Sequence, residues 1–143
     1  MDSKPSLVKR VGIAKMIGLV IGLAGFFFIS WISPEADILL RLGFLLWYTT
    51  FGALIGMFGM VDFHPMLKFA MPFWFRGIVF GAWFNLVATL LAYDKIEAFL
   101  KALDFGAFRS PFWFVVEGAI VGLFIDWVAT RYGGEGKALL DGR

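Results

Sequence analysis

Four long apolar stretches divide the 143-residue chain, and each contains one Gly-x-x-x-Gly: Gly18/Gly22, Gly52/Gly56, Gly77/Gly81 and Gly118/Gly122. A bilayer's hydrocarbon core is about 30 Å thick and is crossed by roughly 17–25 apolar residues in a helix. The runs Met16 to Ile32, Leu42 to Val61, Met71 to Tyr93 and Phe112 to Ala129 are that long. Within lipid, helices gain little by burying apolar surface against each other, so small residues one turn apart promote association by letting backbones meet. The pattern predicts an all-α integral membrane protein: a four-transmembrane-helix bundle forming a single membrane domain over residues 1–143, packed through these glycine faces.

Composition agrees with that class. With 60% hydrophobic and 17% charged residues the chain lies outside the range of soluble domains of its size. The absence of Cys removes disulfides, thiolate chemistry and Cys-based zinc sites. A net charge of +2 gives no polyanion-binding surface, and no nucleic-acid partner is expected.

Helices are expected at about 11–32, 34–61, 71–93 and 111–131. Ser33-Pro34-Glu35 reads as N-cap, first-turn proline and acid for the second helix, and Ser110-Pro111 does the same for the fourth. His64-Pro65 and Pro72 break the chain between the second and third. Lys4, Lys9, Arg10 and Lys15 precede the first run as in a secretory signal, but the run is long for one. Ser30-Trp31-Ile32-Ser33 also lacks small residues at alternate positions, so an uncleaved anchor is expected.

Basic residues set the expected orientation. The N-terminal arm, the middle turn (Lys68, Arg76) and the tail (Arg131, Lys137, Arg143) hold nine Lys and Arg, against four on the other face: Arg41, Lys95, Lys101 and Arg109. Both termini are therefore expected in the cytoplasm, with the chain in a bacterial inner membrane. Trp31 and Trp113 should then mark the outer interface, and Trp74 and Trp127 the inner one.

Between the third and fourth helices, residues 94–105 carry Ile96, Phe99, Leu100 and Leu103 at helical spacing, interleaved with charge. A short interfacial amphipathic helix is expected there, with a capping box from Asp94 and Glu97, a Glu97–Lys101 pair and Gly106 at its C-terminus. It serves as a connector or, alternatively, as a lid. Gly-Ala recurs at Gly52-Ala53, Gly81-Ala82 and Gly118-Ala119, which small-residue packing explains without invoking a duplicated unit.

Polar residues inside the spans are the candidates for function, since charged ones cost about 2.5–3.5 kcal/mol each on insertion scales. Arg76 and Asp126 fall at matching depth on antiparallel helices and are expected to pair. Deeper, Glu117, Asn85, Tyr48 and Thr49 reach a common level and are expected to share a polar pocket. Glu117 is a packing partner for Asn85 in one reading and the proton-carrying group of a transporter in the other. Nine residues separate Glu117 from Asp126, so at about 100° per residue they point to opposite faces and line no single path.

No catalytic, metal or cofactor set is expected. His64 with Asp62 reads as a satisfied turn, because a zinc site needs further ligands. Gly133-Gly134-Glu135-Gly136-Lys137 is followed by Ala138, which departs from a phosphate-binding loop and reads as a flexible tail. The expected function is non-enzymatic: a scaffold, assembly or accessory subunit in the lipid bilayer, joined to copies of itself or to a membrane-protein partner through leftover glycine faces. The alternative is a small oligomeric proton- or ion-coupled carrier or channel built on Glu117 and Asn85.

Overall fold

The computed structural model describes residues 4–104 and 106–141. Its elements run α1 (Leu7–Ile32), α2 (Ile38–Phe58), β1 (Phe63–His64), β2 (Phe69–Ala70), α3 (Phe73–Leu91), α4 (Tyr93–Leu103), α5 (Trp113–Gly133) and α6 (Ala138–Asp141). Four of them, α1, α2, α3 and α5, are long and apolar enough to cross a membrane. Their outer surface is rich in large apolar groups such as Phe27, Trp31, Leu46, Trp83, Leu91 and Ile120, all exposed. That much exposed apolar surface needs a lipid or protein cover.

Glycine contacts decide which helices pair. α1 packs most extensively on α2, and α3 on α5, while α2 and α3 touch only sparsely. In the first pair, a Cβ added to Gly18 would fall on the Tyr48 carbonyl oxygen, and one added to Gly56 would lie 2.9 Å from the Val11 Cα. In the second, a Cβ on Gly77 would lie 2.7 Å from the Gly122 carbonyl oxygen, and one on Gly81 2.9 Å from the Gly122 Cα. Gly22, Gly52, Gly118 and Gly122 are equally filled by facing backbone. All eight glycines are thus consumed inside the chain. The expectation of leftover glycine faces is corrected: four stripes make two antiparallel pairs and leave none over.

The two pairs join mainly where α1 meets α5. Ala14, Phe51, Ile55, Ile125 and Ala129 form the buried centre, with Ile17, Phe80, Phe84 and Val121 against it.

Several boundaries differ from the sequence reading. α1 begins at Leu7, a full turn before residue 11, which brings Arg10 into the helix. α2 begins at Ile38, and its N-cap is Asp37, whose carboxylate accepts from the Leu39 N–H at 3.0 Å. Ser33 instead closes α1, donating its N–H to the Ile29 carbonyl, so Pro34 follows a helix end rather than opening the next helix. Ser110-Pro111 lead into α5 through i→i+3 bonds, Trp113 N–H to Ser110 O and Phe114 N–H to Pro111 O, which delay the α-helix to Trp113. α3 spans 73–91 with Pro72 as N-cap.

The short amphipathic helix is present as α4. Its apolar side covers the bundle end: Ile96 is buried, and the Phe99 ring lies 6.2 Å from Phe44. Glu97 and Lys101 pair at 3.1 Å. The capping box does not form, because Ala92 is the N-cap and ends α3 at the same time, leaving no side chain to cap with. Asp104, not Gly106, takes the left-handed position with φ 48°. Aspartate tolerates that conformation better than most residues. Phe105, the expected last residue of this helix, lies outside the described residues, as does Arg143.

The chain is not purely α. Phe63 pairs with Ala70 and His64 with Phe69 in a two-residue antiparallel hairpin, where the His64 Nδ1 accepts from the Leu67 N–H at 3.1 Å. Nor is the tail loose. Gly136 N–H bonds to Gly59 O at 2.9 Å, Ser6 N–H bonds to Gly133 O at 3.2 Å, and Leu139 is buried.

If backbone contact holds each pair together, Gly81→Leu should destabilise the protein by about 1–3 kcal/mol, the usual range for overpacking. Gly12→Ala, where nothing lies within 4 Å of the new Cβ, should stay within about 0.5 kcal/mol of wild type. Denaturant unfolding in mixed micelles measures both.

Candidate functional site

In each long helix the glycine stripe continues, at a spacing of four, into polar residues. The series are Arg10-Ala14-Gly18-Gly22 on α1, Tyr48-Gly52-Gly56 on α2, Gly77-Gly81-Asn85-Thr89 on α3 and Gly118-Gly122-Asp126-Thr130 on α5. Residues four apart lie one above another on a helix face. The faces that bring backbones together therefore also bring these polar groups together, at two levels.

At the level near both termini, Arg10, Arg76 and Asp126 meet with their side chains fully buried. Arg76 grips Asp126 as a fork, Nε to Oδ2 at 2.8 Å and Nη2 to Oδ1 at 3.1 Å. This bidentate geometry gives strong charge-assisted bonds. Arg10 Nη2 donates to the same Asp126 Oδ1. Its other donors reach Gly56 O at 3.0 Å, Thr130 Oγ1 at 2.9 Å and Gly134 O. Arg76 also donates to Met71 O at 3.1 Å and Val61 O at 3.3 Å. From the tail, Glu135 accepts from Arg76 Nη2 at 3.1 Å with its side chain 41% exposed. Two guanidinium groups are matched by two carboxylates, one buried and one half in water. Gly59 makes room, since a Cβ there would strike the Arg10 guanidinium.

At the second level Glu117 Oε2 accepts from the Tyr48 hydroxyl at 2.6 Å and from Asn85 Nδ2 at 2.8 Å, joining α2, α3 and α5. Asn85 is completely enclosed. Its Nδ2 also donates to Phe114 O at 2.9 Å, and its Oδ1 accepts from Trp47 Nε1 at 3.0 Å. Gly118 provides the space, because a Cβ there would lie 2.6 Å from that of Asn85. Thr49 stands apart: its hydroxyl donates to Leu45 O of its own helix at 2.8 Å. Local back-bonding of this kind satisfies a helical threonine without a partner helix.

The levels are separate. Nine residues along α5 amount to about 13 Å at 1.5 Å per residue, and the interval holds Val121 and Ile125 on α5, Phe80 and Phe84 on α3, and Phe51 and Ile55 on α2. Glu117 and Asp126 do leave α5 on opposite sides, yet both sides are interior because α5 has α1, α2 and α3 around it. Among the described residues, no buried side-chain nitrogen or oxygen lacks a hydrogen-bond partner, and no three His, Asp or Glu side chains converge on a common point.

Arg10, Thr130, Glu135 and Trp47 were not among the site residues expected from sequence. The charge count places Arg10 in the polar arm, although its place four residues before Ala14 on the glycine face is a signal that finds it. Thr130 continues the α5 stripe in the same way. Glu135 carries no such signal, since it sits in a loop whose path depends on Gly134 and Gly136 at φ 85° and 71°. Comparison with family models, curated proteins and solved structures gives no match for the chain.

Removing Asp126 leaves two buried guanidinium groups without their shared anion. Asp126→Asn should destabilise the protein by about 3–5 kcal/mol, the range for breaking a buried ion pair from one side. Glu135→Gln, at a half-exposed position, should cost no more than about 1 kcal/mol. Equal losses at both positions in equilibrium unfolding would contradict the assignment of Asp126 as the central anion.

Proposed function

We propose that the chain is a non-enzymatic integral membrane protein, a scaffold, assembly or accessory subunit, held in a bacterial inner membrane with both termini in the cytoplasm. The observation that carries this reading is the saturation of the interior. Among the described residues every buried side-chain nitrogen and oxygen has a partner in the chain, and apolar side chains fill the interval between the levels. Groups bonded in this way hold helices in register, and a carrier needs a site free to exchange its ligand or proton.

The orientation draws support from the excess of basic residues on the termini side. The bond from Ser6 to Gly133 brings the start of α1 and the end of α5 together at one end of the bundle, which agrees with an even number of crossings. With the glycine stripes used internally, a membrane-protein partner or a second copy would meet the bulky apolar exterior instead, around exposed groups such as Trp31 and Trp83.

One observation favours the alternative, a small oligomeric proton- or ion-coupled carrier or channel. Trp47 and Phe114, which both bond Asn85, also line a groove open to the outside of the bundle, so the Glu117–Asn85 level lies one side chain from that surface.

Glu117→Gln separates the two readings, since its amide oxygen can still accept from Tyr48 and Asn85 while the carboxyl proton is lost. In the scaffold reading the variant keeps its unfolding free energy to within about 1 kcal/mol, keeps its cross-linked partner in cells, and neither protein moves protons in dye-loaded liposomes. Flux by wild type that vanishes in Glu117→Gln at unchanged stability would replace the scaffold with the carrier.

A further inference from the structure

The sparse contact between α2 and α3 leaves a groove of about 480 Å³ at the end of the bundle away from the termini. Its volume is in the range of small-molecule sites, about 300–1,000 Å³. Gly43 of α2 and Ala88 and Ala92 of α3 keep its walls low, and Trp47 closes its inner end toward the polar level. Gly43 differs in kind from the eight stripe glycines. Where their missing side chains are replaced by facing backbone, nothing lies within 4 Å of a Cβ built on Gly43. Its smallness keeps space open instead of bringing helices together.

Two opposite charges line the same groove, Asp37 at the N-cap of α2 and Lys95 in the first turn of α4. α4 is amphipathic and lies across the bundle end, so both charges sit at headgroup depth while the apolar walls run inward. An occupant of this geometry has an apolar chain below, an anionic group for Lys95 and a hydrogen-bonding cation for Asp37. A lipid chain gains little in such a groove over bulk lipid, since tails are as apolar as the walls. Selection must therefore come from the headgroup. Phosphatidylethanolamine supplies both charges. A choline headgroup has no N–H to donate, and a glycerol headgroup has no cation for Asp37.

We propose that this groove binds one acyl chain of a phosphatidylethanolamine, with the phosphate at Lys95 and the primary ammonium at Asp37. The site is independent of the scaffold reading, because it uses neither polar level for chemistry.

Native mass spectrometry of the purified protein, titrated in detergent with phosphatidylethanolamine, phosphatidylcholine and phosphatidylglycerol, tests it. Wild type should retain one phosphatidylethanolamine in preference to the other two. Gly43→Leu places a side chain in the open groove and should weaken that binding about tenfold, equivalent to about 1.4 kcal/mol. Asp37→Asn keeps an N-capping side chain but should bring phosphatidylethanolamine and phosphatidylcholine to equal affinity. Were Gly43→Leu to lower the melting temperature, Lys95→Gln at the exposed rim supplies the same readout, as weaker binding of phosphatidylethanolamine through loss of the phosphate contact. Equal retention of all three lipids by wild type would overturn the proposal. So would undiminished phosphatidylethanolamine binding by a folded Gly43→Leu.

Discussion

Contact between bare backbones at the glycine stripes is the constraint from which the rest of the arrangement follows. Helices in lipid have no strong apolar drive to associate, so close packing and polar contacts must hold them. Gly81 against Gly118 and Gly122, and Gly52 against Ala14 and Gly18, fix how far each helix slides along its partner. Once that slide is fixed, the polar residues that continue the stripes have no freedom in where they arrive. Asn85 comes to rest over Gly118 and so beside Glu117. Asp126 arrives level with Arg76, one turn before Thr130.

The buried charges illustrate what such register makes tolerable. Taking a guanidinium out of water is expensive, and replacing a buried ion network with apolar groups is often neutral or stabilising. The network around Asp126 is thus weak grounds for stability and better grounds for specificity. Arg10 comes from α1, Arg76 from α3, Asp126 from α5, and Glu135 from the tail. A helix shifted by one turn would strand at least one of these charges, whereas an apolar core would accept the shift with modest loss. The tail folds back for the same reason: Gly134 O and Glu135 supply acceptors that Arg10 and Arg76 would otherwise lack.

Much of this was legible in the sequence, and what was not has identifiable causes. The four long helices follow from run length, and the meeting of Arg76 with Asp126 and of Glu117 with Asn85 and Tyr48 follows from counting depth on antiparallel helices. Which stripe faces which does not follow. Four nearly identical stripes allow several pairings, and only the three-dimensional arrangement selects α1 with α2 and α3 with α5. A helix start expected near residue 11, when α1 begins at Leu7, hides Arg10 and turns a buried partner of Asp126 into one more basic residue of the arm. Glu135 lies in a segment whose glycines suggested looseness, although two of them take left-handed conformations that route the chain back over the bundle. Pro34 misplaced one helix start because proline marks a helix end as readily as a beginning, and the i→i+3 turn at Ser110-Pro111 delayed the other to Trp113.

The two glycine-packed pairs resemble each other in backbone and differ in chemistry, and the difference explains where the bundle is tight. If Gly52/Gly56 is aligned with Gly118/Gly122, Tyr48 corresponds to Phe114 and Phe51 to Glu117. The Tyr48 and Phe114 rings do meet, edge to face, with centroids 6.3 Å apart. The Tyr48 phenol of α2 bonds the Glu117 acid of α5. This one-sided polarity draws α2 toward α5 at the level of Glu117, and the charged network draws α1 toward α5 near the termini. Among the described residues α2 and α3 share one side-chain hydrogen bond, Trp47 to Asn85, and otherwise meet through rings such as Phe58 and Phe80, stacked with centroids 4.2 Å apart. Past Trp47, toward Gly43 and Ala92, no hydrogen bond or ring contact joins the two helices among the described residues. The lateral groove is the consequence of building a four-helix bundle from two pairs joined through a single shared helix.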